Sequence, residues 1–73
     1  MGRLAGFRYR EVAKRLRKLG FVQKHDSAGS HELWINYYRR KTLALPWHSG
    51  DLPEGTLRSV LKQAGIAEDD FLA

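Results

Sequence analysis

Two apolar stripes at helical spacing, each ending at a glycine, flank a central segment that alternates at strand spacing. In the first stripe, Val12, Leu16 and Leu19 precede Gly20. The second stripe has apolar residues at i, i+3, i+4 and i+7 before a glycine: Leu57, Val60, Leu61 and Ala64. Glycine after the last stripe residue is a common helix stop. The spacing therefore predicts a helix over residues 8–19 and a second helix near the C-terminus.

Three short segments between these helices are typical of β-strands. We expect strands over residues 21–25, 31–37 and 42–47. The intervening segment 26–29 contains turn-forming residues, and the basic run 39–41 is expected at a hairpin tip.

The second strand carries large apolar residues on both faces. Alternation gives one face His31, Leu33, Ile35 and Tyr37, and the other Glu32, Trp34 and Asn36. The pattern therefore does not decide which face packs in the core. In so small a domain large aromatic residues are more often buried, which favours the core for Trp34 and Trp47. Tyr37 or Tyr38, beside the basic run, is a candidate for stacking on an unpaired base.

The order α-β-β-β-α predicts an α+β fold, in which a three-stranded antiparallel sheet is covered on one face by two helices. Double-stranded RNA-binding domains share this order. We expect a single domain over residues 1–73, with residues 1–6 as a loose N-terminal arm. Residues 67–71 are expected to form a short acidic turn whose Phe71 packs back on the domain.

Charge is unevenly distributed and favours a polyanionic partner. The net charge is +5, and residues 1–25 carry +7, residues 26–50 carry +1 and residues 51–73 carry −3. A phosphate-binding surface is therefore expected in the first two thirds of the chain, with ordinary solvated helix faces as the alternative.

Several classes of protein are disfavoured by composition. There is no cysteine, which excludes a disulfide scaffold. No apolar run approaches the roughly 20 residues that span a membrane, so we expect a cytoplasmic protein. A chain this short buries only about 60% of its unfolded surface. We therefore expect an open groove or sheet face as the working surface, and no cofactor.

Two of the three histidines, His31 and His48, are candidate proton-transfer groups, because imidazole titrates near neutral pH. His31 follows a small turn and begins a strand, and its alternative role is that of a structural strand residue. His48, near a strand end, is a candidate second acid or base, with a loop hydrogen bond or a protein contact as the alternative. His25 is expected at the surface. The histidines lack the short paired spacing of zinc ligands, so no metal site is predicted.

Three ordered motifs resemble one known family. They are residues 10–21 with Arg-Glu-Val and Arg-Leu-Arg-Lys-Leu-Gly-Phe, residues 29–34 with Gly-Ser-His and Leu-Trp, and residues 45–65 with Leu-Pro-Trp-His and the final helix. Over roughly residues 8–71 the chain resembles the HicA toxins of bacterial and archaeal toxin–antitoxin pairs. The resemblance implies a ribonuclease that cleaves mRNA and stops translation, with His31 as its single catalytic histidine. It also implies a HicB antitoxin that masks the active surface.

RNA chemistry gives His31 a specific role. The RNA 2′-hydroxyl can attack the adjacent phosphorus without a metal, provided that a base removes its proton or an acid protonates the departing 5′-oxygen. The backbone at Gly29 and Ser30 would approach the phosphate closely, and nearby cations would stabilise its developing charge. The candidates are Lys24, Arg39, Arg40 or Lys41, and the sequence does not decide among them.

Two other functions are compatible with the same basic surface. One is a non-catalytic RNA-binding module, and the other is a face that serves mainly as the antitoxin interface. The segment 36–41 departs from the family pattern, in which a polar turn containing glycine is common, so its contacts with RNA or antitoxin are expected to differ.

Overall fold

The computed structural model describes residues 2–24 and 31–73, with position 31 described by its backbone only. The secondary structure follows the predicted order and adds a short C-terminal helix. The elements are α1 (Tyr9–Lys18), β1 (Val22–Lys24), β2 (His31–Asn36), β3 (Lys41–Pro46), α2 (Glu54–Ala64) and α3 (Glu68–Leu72). The α+β class and the three-stranded antiparallel sheet are confirmed. No helix within the described ranges is long and apolar enough to cross a membrane.

The sheet has β2 at its centre and antiparallel neighbours on both sides. Trp34 is paired with Leu43 in β3 and with Gln23 in β1. Paired residues share a face of the sheet, so Trp34 and Leu43 point to one side. Trp34 and Leu43 are both buried, which settles the question that alternation left open.

The core lies between this face and both long helices. Its buried residues form one cluster that combines α1, α2 and the sheet: Val12, Leu16, Leu43, Leu45, Leu57, Val60 and Leu61, together with Trp34. On the opposite face of the sheet, Val22 and Leu33 are exposed. The helices therefore cover one face, as predicted, and leave these residues accessible on the other.

Asn36 braces the end of β2 against both neighbouring segments. Its side chain is buried, its Nδ2 donates a hydrogen bond to the Leu19 carbonyl at 3.2 Å, and its Oδ1 accepts one from the Arg39 N–H at 3.0 Å. Gly20 has a φ of +93°, and a Cβ there would lie 3.3 Å from the Asn36 amide. The end of α1 and the start of the β2–β3 turn are therefore held by one side chain.

Two sequence-based expectations about burial are wrong. Trp47 was expected in the core but is 58% exposed, because β3 ends at Pro46 and the chain leaves the sheet before the indole can pack. Residues 1–6 were expected to form a loose arm, but residues 3–6 form a turn whose Leu4 is fully buried in the core cluster. A single leucine has no periodicity, so no pattern indicated this contact.

The C-terminal turn packs back on the domain, as predicted. Phe71 is buried and its ring lies edge-on to Phe7, with the ring centroids 5.3 Å apart. The Arg15 guanidinium lies over both rings and donates a hydrogen bond to the Phe71 carbonyl at 2.8 Å. Cation–π contact adds to the burial of these rings, so α3 closes the helical side of the domain.

Candidate nucleic-acid interface

Position 31 is the first residue of β2, and its Cα partner is Pro46 at the end of β3. Strand alternation gives it the same sheet face as Leu33 and Ile35, opposite the core face. The backbone therefore places this predicted catalytic position at one end of the sheet, on the side that the helices do not cover.

Lys24 is the predicted phosphate-binding cation whose backbone lies nearest to position 31. It is exposed and is paired with Leu33, two residues along β2. Such diagonal neighbours on one face are typically about 7–8 Å apart. Lys24 and position 31 therefore share a face at a separation that a lysine side chain can span.

Two of the predicted phosphate-binding residues, Gly29 and Ser30, lie outside the described residues, as does His25, which was expected at the surface. The close backbone approach to phosphate at Gly29 and Ser30 accordingly stays a prediction.

The basic run lies at the far end of the sheet. Arg39 and Arg40 belong to the turn after β2, Lys41 begins β3, and all three are exposed. Five residues of β2 separate this turn from position 31, which corresponds to roughly 16 Å at strand rise. Among the four cations that the sequence left open, the register therefore places the backbone of Lys24 nearer to position 31 than that of the basic run.

His48 lies two residues after β3 in a loop and is exposed. Its Nδ1 accepts a hydrogen bond from the Gly50 N–H at 3.3 Å. In a neutral imidazole with Nδ1 as acceptor the proton resides on Nε2. In this arrangement His48 presents an N–H donor to its surroundings.

A group of polar atoms is buried beneath β2. The Tyr9 hydroxyl, Glu32 Oε2 and the Trp34 indole N–H have no hydrogen-bond partner within the described part of the chain. Burial raises the pKa of Tyr9 to about 12, and the nearby Glu32 carboxylate adds to the shift. Tyr9 is therefore neutral throughout the physiological range.

This shift predicts how stability changes at high pH. Between pH 10 and pH 12 the folded protein retains a Tyr9 proton that the unfolded chain has lost, so Tyr9 makes the free energy of unfolding fall as pH rises. We expect Tyr9→Phe to flatten this fall and to change stability little below pH 10. Denaturant unfolding at several pH values measures it. Tyr38→Phe, at an exposed ring, is the control, and parallel curves for Tyr9→Phe and wild type would contradict the prediction.

Comparison with known protein families identifies the chain. The family described as the HicA toxin of bacterial toxin–antitoxin systems matches residues 9–66 of the 73. The chain belongs to the HicA toxin family. A search of curated proteins finds no match. Membership in the HicA family gives the chain a toxin role in a toxin–antitoxin system and implies a HicB antitoxin as its partner.

The matched region contains most of the HicA surface described above. It includes Lys24, position 31, the basic run and His48. Sequence analysis did not connect Arg8, Arg10 and Trp47, which the structure brings together around one cleft with His48. The two arginines and Trp47 lie in segments about 40 positions apart. The one signal that could have pointed to this cleft is an exposed Trp47, and the sequence favoured a buried Trp47.

Proposed function

We propose that this HicA-family protein is an endoribonuclease that cuts mRNA by activating the RNA's own 2′-hydroxyl. The observation that carries the proposal is the family match over residues 9–66, together with the backbone placement of position 31 on the uncovered sheet face. A catalytic group in that place can be approached by an extended strand without any opening of the fold.

His31 serves as the general acid or base in this proposal. It takes the proton from the 2′-hydroxyl or gives one to the departing 5′-oxygen, and such proton transfer contributes typically about 10²- to 10⁴-fold to a rate. His48 is the candidate for the complementary step, because its Nε2 is directed to donate when Nδ1 accepts from Gly50. The bond that forms joins the 2′-oxygen to phosphorus, and the bond that breaks joins phosphorus to the 5′-oxygen.

Phosphate binding is divided between the two ends of the sheet. Lys24 and the backbone of Gly29 and Ser30 are assigned to the phosphate that is cut. Arg39, Arg40 and Lys41 are assigned to phosphates farther along the strand. Arg40 adopts a φ of +55°, which costs a non-glycine residue about 1–2 kcal/mol. A cation kept at such a turn position supports a functional use of its charge.

The alternative is a non-catalytic RNA-binding module on the same surface. The exposed basic run favours RNA binding under either function. The two functions differ at His31, which is required for cleavage by the ribonuclease and not for binding by the module. In both cases the HicB antitoxin acts by covering the surface, and the site of action is the cytoplasm, where mRNA is translated.

The decisive experiment is to incubate the purified protein with single-stranded RNA in the presence of EDTA and to map the ends. We expect cleavage that leaves a 2′,3′-cyclic phosphate and a 5′-hydroxyl. Products with a 5′-phosphate, or cleavage that EDTA abolishes, would refute this mechanism. Binding without cleavage would favour the RNA-binding module.

A further inference from the structure

A cleft of about 240 Å³ lies between the start of α1 and the segment after β3. Arg8, Tyr9 and Arg10 form one wall, and Trp47, His48 and the Ser49–Gly50 turn form the other. The site proposed for cleavage shares only His48 with this cleft. Its lining combines two guanidinium groups, an imidazole and an indole.

The lining has the chemistry of a subsite for one unpaired nucleotide. The Trp47 indole is 58% exposed and offers the flat apolar face on which bases stack. Arg8 and Arg10 are exposed and supply the donors that suit phosphate oxygens. Asp51 lies 3.7 Å from the Arg8 Nε and reduces that charge in part, which leaves Arg10 as the stronger phosphate ligand.

The two walls are joined by backbone contacts. The Leu52 N–H donates a hydrogen bond to the Phe7 carbonyl at 2.7 Å, and Arg8 and Asp51 form an isolated antiparallel bridge. Leu52 is itself buried in the core. The cleft is therefore built into the fold, and a ligand does not need to order its walls.

The cleft is adjacent to the catalytic position. Pro46 is the ladder partner of position 31, and Trp47 follows it directly, so the Cα atoms of residues 31 and 47 are no more than about 9 Å apart. The cleft is lined by the start of α1, on the helical side of the sheet, whereas alternation in β2 gives position 31 the opposite face. A strand that reaches both must turn over the end of the sheet.

We propose that this cleft binds the nucleotide next to the cut bond, with its base stacked on Trp47 and its phosphate held by Arg10 and Arg8. The inference rests on the proposed function, because it assumes that the ligand of this surface is RNA. The His48 Nε2–H supplies a further donor to the same phosphate. Unpaired RNA is the ligand class, since its bases are free to stack on an aromatic ring, whereas a base within a duplex must first be unpaired and unstacked at a cost of a few kcal/mol.

The test measures RNA affinity in a His31→Ala background, in which RNA stays intact. The probe is a short labelled single-stranded RNA, followed by fluorescence anisotropy. We expect Trp47→Leu to weaken binding by about 5- to 150-fold, the range for loss of one base–aromatic stack. Trp47→Phe retains a ring and should recover most of the affinity. Duplex RNA should show no dependence on residue 47.

The phosphate contact has its own readout. Arg10→Ala should reduce the slope of log Kd against log salt concentration by about 0.7, the value for one phosphate contact on a single strand. Arg58→Ala removes an equal charge from α2, where Arg58 lies 3.7 Å from Glu54, and should leave the slope unchanged. Far-UV circular dichroism verifies that each variant is folded.

Failure of this inference differs from failure of the proposed function. If the wild-type protein cuts RNA while Trp47→Leu binds it within twofold of its parent, the subsite is refuted and the ribonuclease stands. If wild type cuts no RNA but affinity still depends on Trp47, the subsite stands within an RNA-binding module. If Trp47→Leu weakens antitoxin binding but leaves RNA affinity unchanged, the nucleotide subsite is refuted.

Discussion

Replacing His31 with alanine should reduce the rate of RNA cleavage by about 10²- to 10⁴-fold, the usual contribution of a general acid or base. The reason is that the variant has no group at position 31 to move the proton of the 2′-hydroxyl or the 5′-oxygen. Single-turnover cleavage of a labelled single-stranded RNA measures the effect. Expression of the variant should also no longer arrest growth.

RNA binding is the readout that separates this catalytic loss from a loss of structure. His31→Ala should retain RNA affinity, because Lys24 and the basic run are unchanged. His25→Ala is the matched control, since it removes a histidine predicted to lie at the surface, and it should cleave at the wild-type rate. If the His31→Ala protein remains folded and is as toxic as wild type, the proposal that His31 catalyses RNA cleavage is refuted.

The second large effect concerns stability. Trp34→Ala should lower the free energy of unfolding by about 3–5 kcal/mol, as is typical for a large aromatic residue removed from a core. Trp34 is fully buried, and the Arg17 guanidinium lies 5.3 Å from its ring centroid. Since small domains have only about 5–15 kcal/mol of stability in total, a large fraction would be lost. Denaturant unfolding followed by circular dichroism measures the change.

Trp47→Ala provides the control for this stability prediction. It removes the same side chain from a position that is 58% exposed, and surface substitutions usually change stability by no more than about 0.5 kcal/mol. Equal losses for the two variants would show that the burial assignments are wrong. The same control shows that Trp47 variants are suitable for RNA-binding measurements.

The helices and strands could be predicted because each one repeats its apolar spacing over several residues. The stripe that ends at Ala64 and the left-handed Gly65, with a φ of +67°, are confirmed. Burial was harder to predict at the ends of elements. Trp47 follows the last strand residue by one position, and Leu4 packs without any repeat around it. For both residues, burial or exposure depends on the tertiary contacts of a single side chain, and the local sequence pattern does not predict such contacts.

In the candidate site, too, local features could be predicted from the sequence and features that depend on tertiary structure could not. The strand position of residue 31 was readable from the sequence, because the backbone of β2 begins at residue 31 as predicted. The catalytic role of His31 stays a prediction. The distance between position 31 and the basic run was not readable, because it depends on strand length and register. The cleft beside Trp47 was missed since its walls come from two segments that only the folded chain brings together.

The Asn36 brace bears on how the HicA surface can diversify. A one-residue slip between β2 and β3 would turn every side chain to the opposite face. Asn36 opposes such a slip through its contacts with the Leu19 carbonyl and the Arg39 N–H. None of the four residues of the turn 37–40 uses its side chain in those contacts. The turn can accordingly exchange charge and aromatic content over evolutionary time while the strand that begins at residue 31 keeps its alignment.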